Sequence, residues 1–255
     1  MVEGLNLFTE YFADYTDHYI LIGGTACDVY FTEREIPFRA TQDLDIILVV
    51  EALNDTFVSH FWQFIQDGEY ITAEKNGEKR FYRFEKPKAN GYPKKIELFA
   101  RHPEILKDPP EGMHITDIPT GEDVSSLSAI LLNEDYYDFT KNNSEVKGGI
   151  RLANEIALVC LKARAYISNK ELKAKGAKIQ TDNIYKHRRD VLHLATLLNP
   201  AKKIQIPDQI KTDLIIFLEQ LENESADVAG ILKSLKIQTS PDEITMVMRN
   251  IFLTE

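Results

Sequence analysis

The chain has 255 residues, 44% hydrophobic and 27% charged, enough for one large core or two smaller ones. No run reaches the ~18 apolar residues of a membrane helix, and Met1–Phe12 has neither the basic nor the apolar region of a secretory leader. Two cysteines, Cys27 and Cys160, form no CxxC pair or disulfide framework, so a reducing cytoplasm with no membrane partner is the expected setting. The net charge of −10 argues against bulk nucleic-acid binding, but it is uneven. Residues 1–140 carry −14, residues 141–203 carry +9 and residues 204–255 carry −5. An acidic half able to hold metal is followed by a basic segment able to hold phosphate, although Lys170, Lys173, Lys175 and Lys178 read as a solvated loop.

Helical spacing of Leu7, Phe8, Tyr11, Phe12 and Tyr15 predicts a helix over 3–17. Tyr19–Ile22 reads as a short buried strand ending at Gly23-Gly24, and Thr25 as the cap of a helix running through Tyr30. Leu44–Val50 predicts a second strand, and residues 55–66 a helix that buries Phe57, Phe61, Trp62 and Phe64. Tyr70–Glu74 and Arg80–Glu85 form a candidate hairpin across Asn76-Gly77. Lys95–Ala100 is a further strand. From about residue 123 the period changes. Leu152, Ile156, Val159, Ala163 and Ile167 share a helix face, as do Ile184, Val191, Leu194, Ala195 and Leu198. Residues 208–222 and 241–253 also read as helices, and Ser168–Asp182 as a polar loop. The expected class is α+β: a mixed sheet with flanking helices over residues 1–122, then a helical bundle over 123–255.

Asp43 and Asp45 stand at i and i+2 on one strand, so their carboxylates project from the same face while Leu44 and Ile46 take the other. Two close carboxylates repel, and Mg²⁺ or Mn²⁺, which take oxygen ligands, would remove that cost. The glycines of Gly23-Gly24-Thr25, between a strand and a helix, allow close approach of a phosphate to backbone N–H groups and the helix dipole. Glu97, between Ile96 and Leu98, is costly to bury alone. It reads as a third metal carboxylate or as a general base. Lys162 is a lone cation in the apolar run Ala157–Ala163 and needs a counter-charge, unless its stem carries it to solvent. Lys186 and Asp190, at i and i+4, read as a surface pair. No HExxH and no GxxxxGK[ST] occurs, which argues against zinc and P-loop chemistry.

Gly23-Gly24-Thr25-Ala26 followed by Arg39-Ala40-Thr41-Gln42-Asp43-Leu44-Asp45-Ile46 resembles the DNA polymerase β-like nucleotidyltransferase superfamily, and within it the AbiEii-type nucleotidyltransferase toxins of bacterial toxin–antitoxin and abortive-infection systems. Lys162 with Ala165, and Lys186-His187-Arg188-Arg189-Asp190, fit the helical half of that pattern over roughly residues 18–198, with His193 standing where the family has Asp. The resemblance implies a nucleotidyltransferase-like fold whose second domain closes over the nucleotide. It implies Mg²⁺ (or Mn²⁺) on Asp43, Asp45 and Glu97, and an NTP on Gly23, Gly24, Thr25, Arg39, Thr41 and Lys162. The implied reaction is nucleoside monophosphate transfer to an acceptor, which could be RNA, a protein or a small molecule such as an antibiotic, with an antitoxin protein as a further expected partner. A non-catalytic nucleotide-binding module is the alternative, and three intact carboxylates count against it.

Overall fold

In a computed structural model of the chain, residues 2–75, 78–99, 130 and 133–254 are described, with residues 72–75 and 78–82 described by their backbone alone. The chain divides into two units, Met1–Val124 with Asn143–Asn154, and Ser125–Asn142 with Glu155–Glu255. Among the described residues no helix is long and apolar enough to cross a membrane.

The first unit is mixed α/β. Its elements are α1 (Leu5–Tyr11), β1 (Tyr19–Ile22), α2 (Gly23–Glu33), β2 (Asp43–Leu48), α3 (Asp55–Asp67), β3 (Ile71–Lys75), β4 (Glu78–Glu85) and β5 (Lys95–Phe99). The hairpin β6 (Ser144–Lys147) and β7 (Ile150–Ala153) completes it. Seven strands form one sheet in the order β3-β4-β5-β2-β1-β7-β6. The β2–β5 and β1–β7 pairs are parallel and the rest antiparallel. The alternation of side chains along β2, β4 and β5 directs Leu44, Phe84 and Ile96 to one face, each at most 1% exposed. There α3 supplies Phe61 and Trp62, both with ring centroids 5.8 Å from Phe84. Asn54 caps α3 by accepting a hydrogen bond from the Phe57 N–H at 2.9 Å.

The second unit is helical: α4 (Glu134–Asn142), α5 (Glu155–Ala174), α6 (Thr181–Ala195), α7 (Asp208–Asn223), α8 (Ser225–Ser234) and α9 (Pro241–Phe252). Residues 157–163 of α5 are all buried, so this helix is covered on every side by its neighbours. The bundle also absorbs much of the charge asymmetry. Lys170 on α5 donates to Glu224 at 3.0 Å and to Gln220 at 2.8 Å, Arg188 on α6 pairs with Glu224, and Arg164 lies 3.2 Å from Asp213. Part of the basic 141–203 segment is therefore neutralised by carboxylates of the acidic segment that follows it.

Several expectations change. The helix expected over 3–17 ends at Tyr11, followed by a 3₁₀ turn at Ala13–Tyr15. Helix α2 starts at Gly23, so Thr25 lies inside it and is not its cap. Helix α5 runs to Ala174, which leaves only residues 175–180 between helices, and Lys170 is an ion-paired helix residue. Leu152 sits on β7, inside the segment expected to be helical. Gly148 and Gly149, both with positive φ, form the tight turn before it, the backbone signature of a two-residue hairpin. The Asn76-Gly77 turn and the boundary near residue 123 lie outside the described residues.

Candidate active site

Strand β1 runs into Gly23, whose φ of +72° would cost an L-residue about 1–2 kcal/mol. Space demands glycine as well. A Cβ on Gly23 would lie 1.8 Å from Asp45 Oδ2. One on Gly24 would lie 2.5 Å from Thr41 Oγ1 and 3.4 Å from Arg39 Nη2. The two glycines thus seat the Asp45 carboxylate against the first residue of α2, and Thr41 and Arg39 against the second. Buried Thr25 donates its hydroxyl to the Asp43 carbonyl at 2.6 Å, tying α2 to the first residue of β2.

Gly23→Ala is expected to destabilise the chain by more than the roughly 1–2 kcal/mol of the left-handed backbone alone, because it also displaces Asp45. Gly91→Ala supplies the comparison: Gly91 has φ +82° and nothing within 4 Å of an added Cβ. Equal thermal destabilisation by the two substitutions would show that the Gly23–Asp45 contact is dispensable.

The ladder assembles the rest. Asp43 pairs in register with Lys95 and Asp45 with Glu97 across β2–β5, while Arg83 pairs with Glu97 and Glu85 with Lys95 across β4–β5. These six side chains share the face opposite Leu44, Ile96 and Phe84. Lys95 Nζ lies 2.8 Å from Asp43 Oδ2 and 3.5 Å from Glu97 Oε1. Arg83 donates from Nε to Glu97 Oε1 at 2.6 Å and contacts the same oxygen through Nη2. Burial pushes the Glu97 carboxyl up, but the Lys95 ammonium and the hydrogen-bonding Arg83 guanidinium outweigh it and hold the group below the usual carboxylate range. Burial likewise works against the Lys95 ammonium, and Glu97 and Asp43 more than restore it.

The sequence reading missed Lys95 and Arg83. Lys95 could have been found, since it stands two residues before Glu97 on the same strand face; Arg83 depends on the β4–β5 register. A salt-bridged sheet surface would account for Lys95, Glu85 and Arg83, but it requires neither a positive-φ glycine against Asp45 nor Thr41 and Arg39 against Gly24. Among the described residues no three His, Cys, Asp or Glu side chains are grouped to hold a metal ion as they stand. The carboxylates of Asp43, Asp45 and Glu97 on one face, with Asp45 opposite Glu97 on the ladder, are nonetheless an all-oxygen donor set of the kind Mg²⁺ and Mn²⁺ take.

Lys162 belongs to the helical unit. It is 4% exposed, so it does not reach solvent along its stem, and its ammonium donates to Asp190 Oδ2 at 2.7 Å. Asp190 is 1% exposed and is therefore a buried counter-ion rather than half of a surface pair with Lys186. Burial also holds nearby His193 below the ordinary histidine range, against the opposing pull of Asp190.

Comparison with protein-family models, with curated proteins and with solved structures finds no match to this chain.

Proposed function

We propose that the chain is a metal-dependent nucleotidyltransferase that transfers a nucleoside monophosphate from an NTP to an acceptor. The observation that carries this reading is the seating of Asp45 against Gly23, and of Thr41 and Arg39 against Gly24, at the start of α2. The first N–H groups of a helix have no acceptor within it and carry the positive end of its dipole, so this turn suits phosphate oxygens. The Arg39 guanidinium and the Thr41 hydroxyl add donors at the same place, and Arg matches phosphate geometry well. Asp43 and Asp45, with Glu97 beside them, would hold a divalent ion that ligates phosphate oxygens and neutralises charge on departing pyrophosphate.

In the reaction an acceptor oxygen bonds to the α-phosphorus, the bond from that phosphorus to the bridging oxygen of pyrophosphate breaks, and the acceptor's proton passes to a carboxylate or to water. Asp43, with 42% of its side chain exposed against 18% for Glu97, is the more accessible of these two carboxylates to an acceptor. Two of Glu97's contacts are already cationic, which makes it the poorer proton acceptor.

The test is incubation of the protein with each α-labelled NTP, Mg²⁺ and total cellular RNA or lysate. A labelled acceptor that forms only with Mg²⁺ is expected, and its chemistry identifies the acceptor class. Mg²⁺-dependent NTP binding without any labelled product would favour the non-catalytic module. Absence of both would overturn the reading.

A further inference from the structure

Lys95 is a cation of the charged face to which the proposed reaction gives no role. Its ammonium bridges the two strands that carry the carboxylates, at 2.8 Å from Asp43 on β2 and 3.5 Å from Glu97 on β5. Arg83, by contrast, reaches Glu97 and Glu85 and no carboxylate of β2 in these contacts. The two cations also differ chemically. A guanidinium forks rigidly onto a carboxylate, whereas an ammonium on a four-carbon stem is a point charge that moves easily. The carboxylates Asp43, Asp45, Glu85 and Glu97 share this face with the cations Lys95 and Arg83. Asp43 and Glu97 converge on Lys95, and the described residues present no ready-made metal cage.

Resting on the nucleotidyltransferase reading, we propose that Lys95 is a tethered cation that competes with the divalent ion for Asp43 and Glu97. In the metal-free protein it offsets the charge of Asp43 on β2 and Glu97 on β5 without an ion. Divalent binding requires the ammonium to leave those oxygens, so the ion alone binds weakly, and a nucleotide, which brings its own phosphate ligands, tightens it. Lys95 is a positioning residue in this scheme: it sets the occupancy of the carboxylates and touches no reacting atom.

The experiment is titration of the whole protein with Mn²⁺ in the absence of nucleotide, with free Mn²⁺ read by electron paramagnetic resonance. Lys95→Met removes the competing charge and keeps most of the stem; Lys95→Gln keeps a hydrogen-bond donor without the charge. Both are expected to bind Mn²⁺ about ten-fold more tightly than the parent protein. Equal or weaker binding in folded variants overturns the proposal, and if the parent still binds Mn²⁺ with nucleotide, the functional reading stands without it. No Mn²⁺ binding to any of the three with nucleotide present overturns both. A measurement on the unsubstituted protein needs no variant to fold: acylation of Lys95, followed by mass spectrometry, is expected to rise when Mg²⁺ is added to saturation. An unchanged or reduced rate overturns the proposal.

Discussion

Asp45→Asn is expected to reduce Mg²⁺-dependent nucleotide binding and transfer by roughly 10³-fold, with thermal stability unchanged or slightly higher. The two halves of this expectation have separate causes. Asn is nearly isosteric with Asp, so the space left by the missing Cβ of Gly23 is filled as before. An amide can also donate to the Glu97 carboxylate, its neighbour on the ladder. One negative charge is removed from a face that carries four carboxylates, which relieves repulsion among them. What is lost is an anionic oxygen ligand, and a neutral amide binds a divalent ion far less well. Calorimetry with a non-hydrolysable NTP and Mg²⁺, alongside thermal denaturation, reads both halves. Undiminished metal-dependent binding would remove Asp45 from the site, and a large fall in melting temperature would show that the carboxylate serves the fold instead.

Asp190→Ala is expected to cost about 3–5 kcal/mol of stability. That is a large part of the roughly 5–15 kcal/mol that holds a typical domain together. The Lys162 ammonium, 2.7 Å from Asp190, would lose this counter-ion deep among the apolar side chains of α5, where a buried charge is costly. Lys162→Met leaves the Asp190 carboxylate in the same position and is expected to be costly for the same reason. Replacing both, as Lys162→Met with Asp190→Leu, is expected to recover most of the loss, because neither charge of this pair is then left buried without the other. Denaturant unfolding of the metal-free protein isolates this effect from any role of Lys162 toward phosphate. If each single change cost under about 1 kcal/mol and the double change were their sum, the pair would carry no coupling.

Much of the candidate site is legible in the sequence because strand geometry is local. Once 43–48 is read as a strand, the covalent alternation of side chains puts Asp43 and Asp45 on one face and Leu44 and Ile46 on the other, whatever the strand pairs with. The same holds for Glu97 between Ile96 and Leu98, and for the apolar face of α3, where helical spacing alone marks Phe57, Phe61 and Phe64. Partners are not local. That Glu97 stands opposite Asp45, and not one pair along, is a matter of β2–β5 register, which buries Leu44, Ile96 and Phe84 together on one face. The same register brings Lys95 and Arg83 among the carboxylates and turns an expected open acid cluster into one already holding two cations. Lys162 showed in the sequence as a cation in need of a counter-charge, but only the packing of α5 on α6 chose Asp190 to supply it. The β6–β7 hairpin went unread because its turn signal, Gly148-Gly149, is short and its strands lie in a segment with helical neighbours. Its place in the sheet comes from pairing with β1, far away along the chain. Alternation and periodicity are properties of the backbone next to a residue, whereas register and ion-pair choice are settled by contacts that exist only once the whole unit has packed.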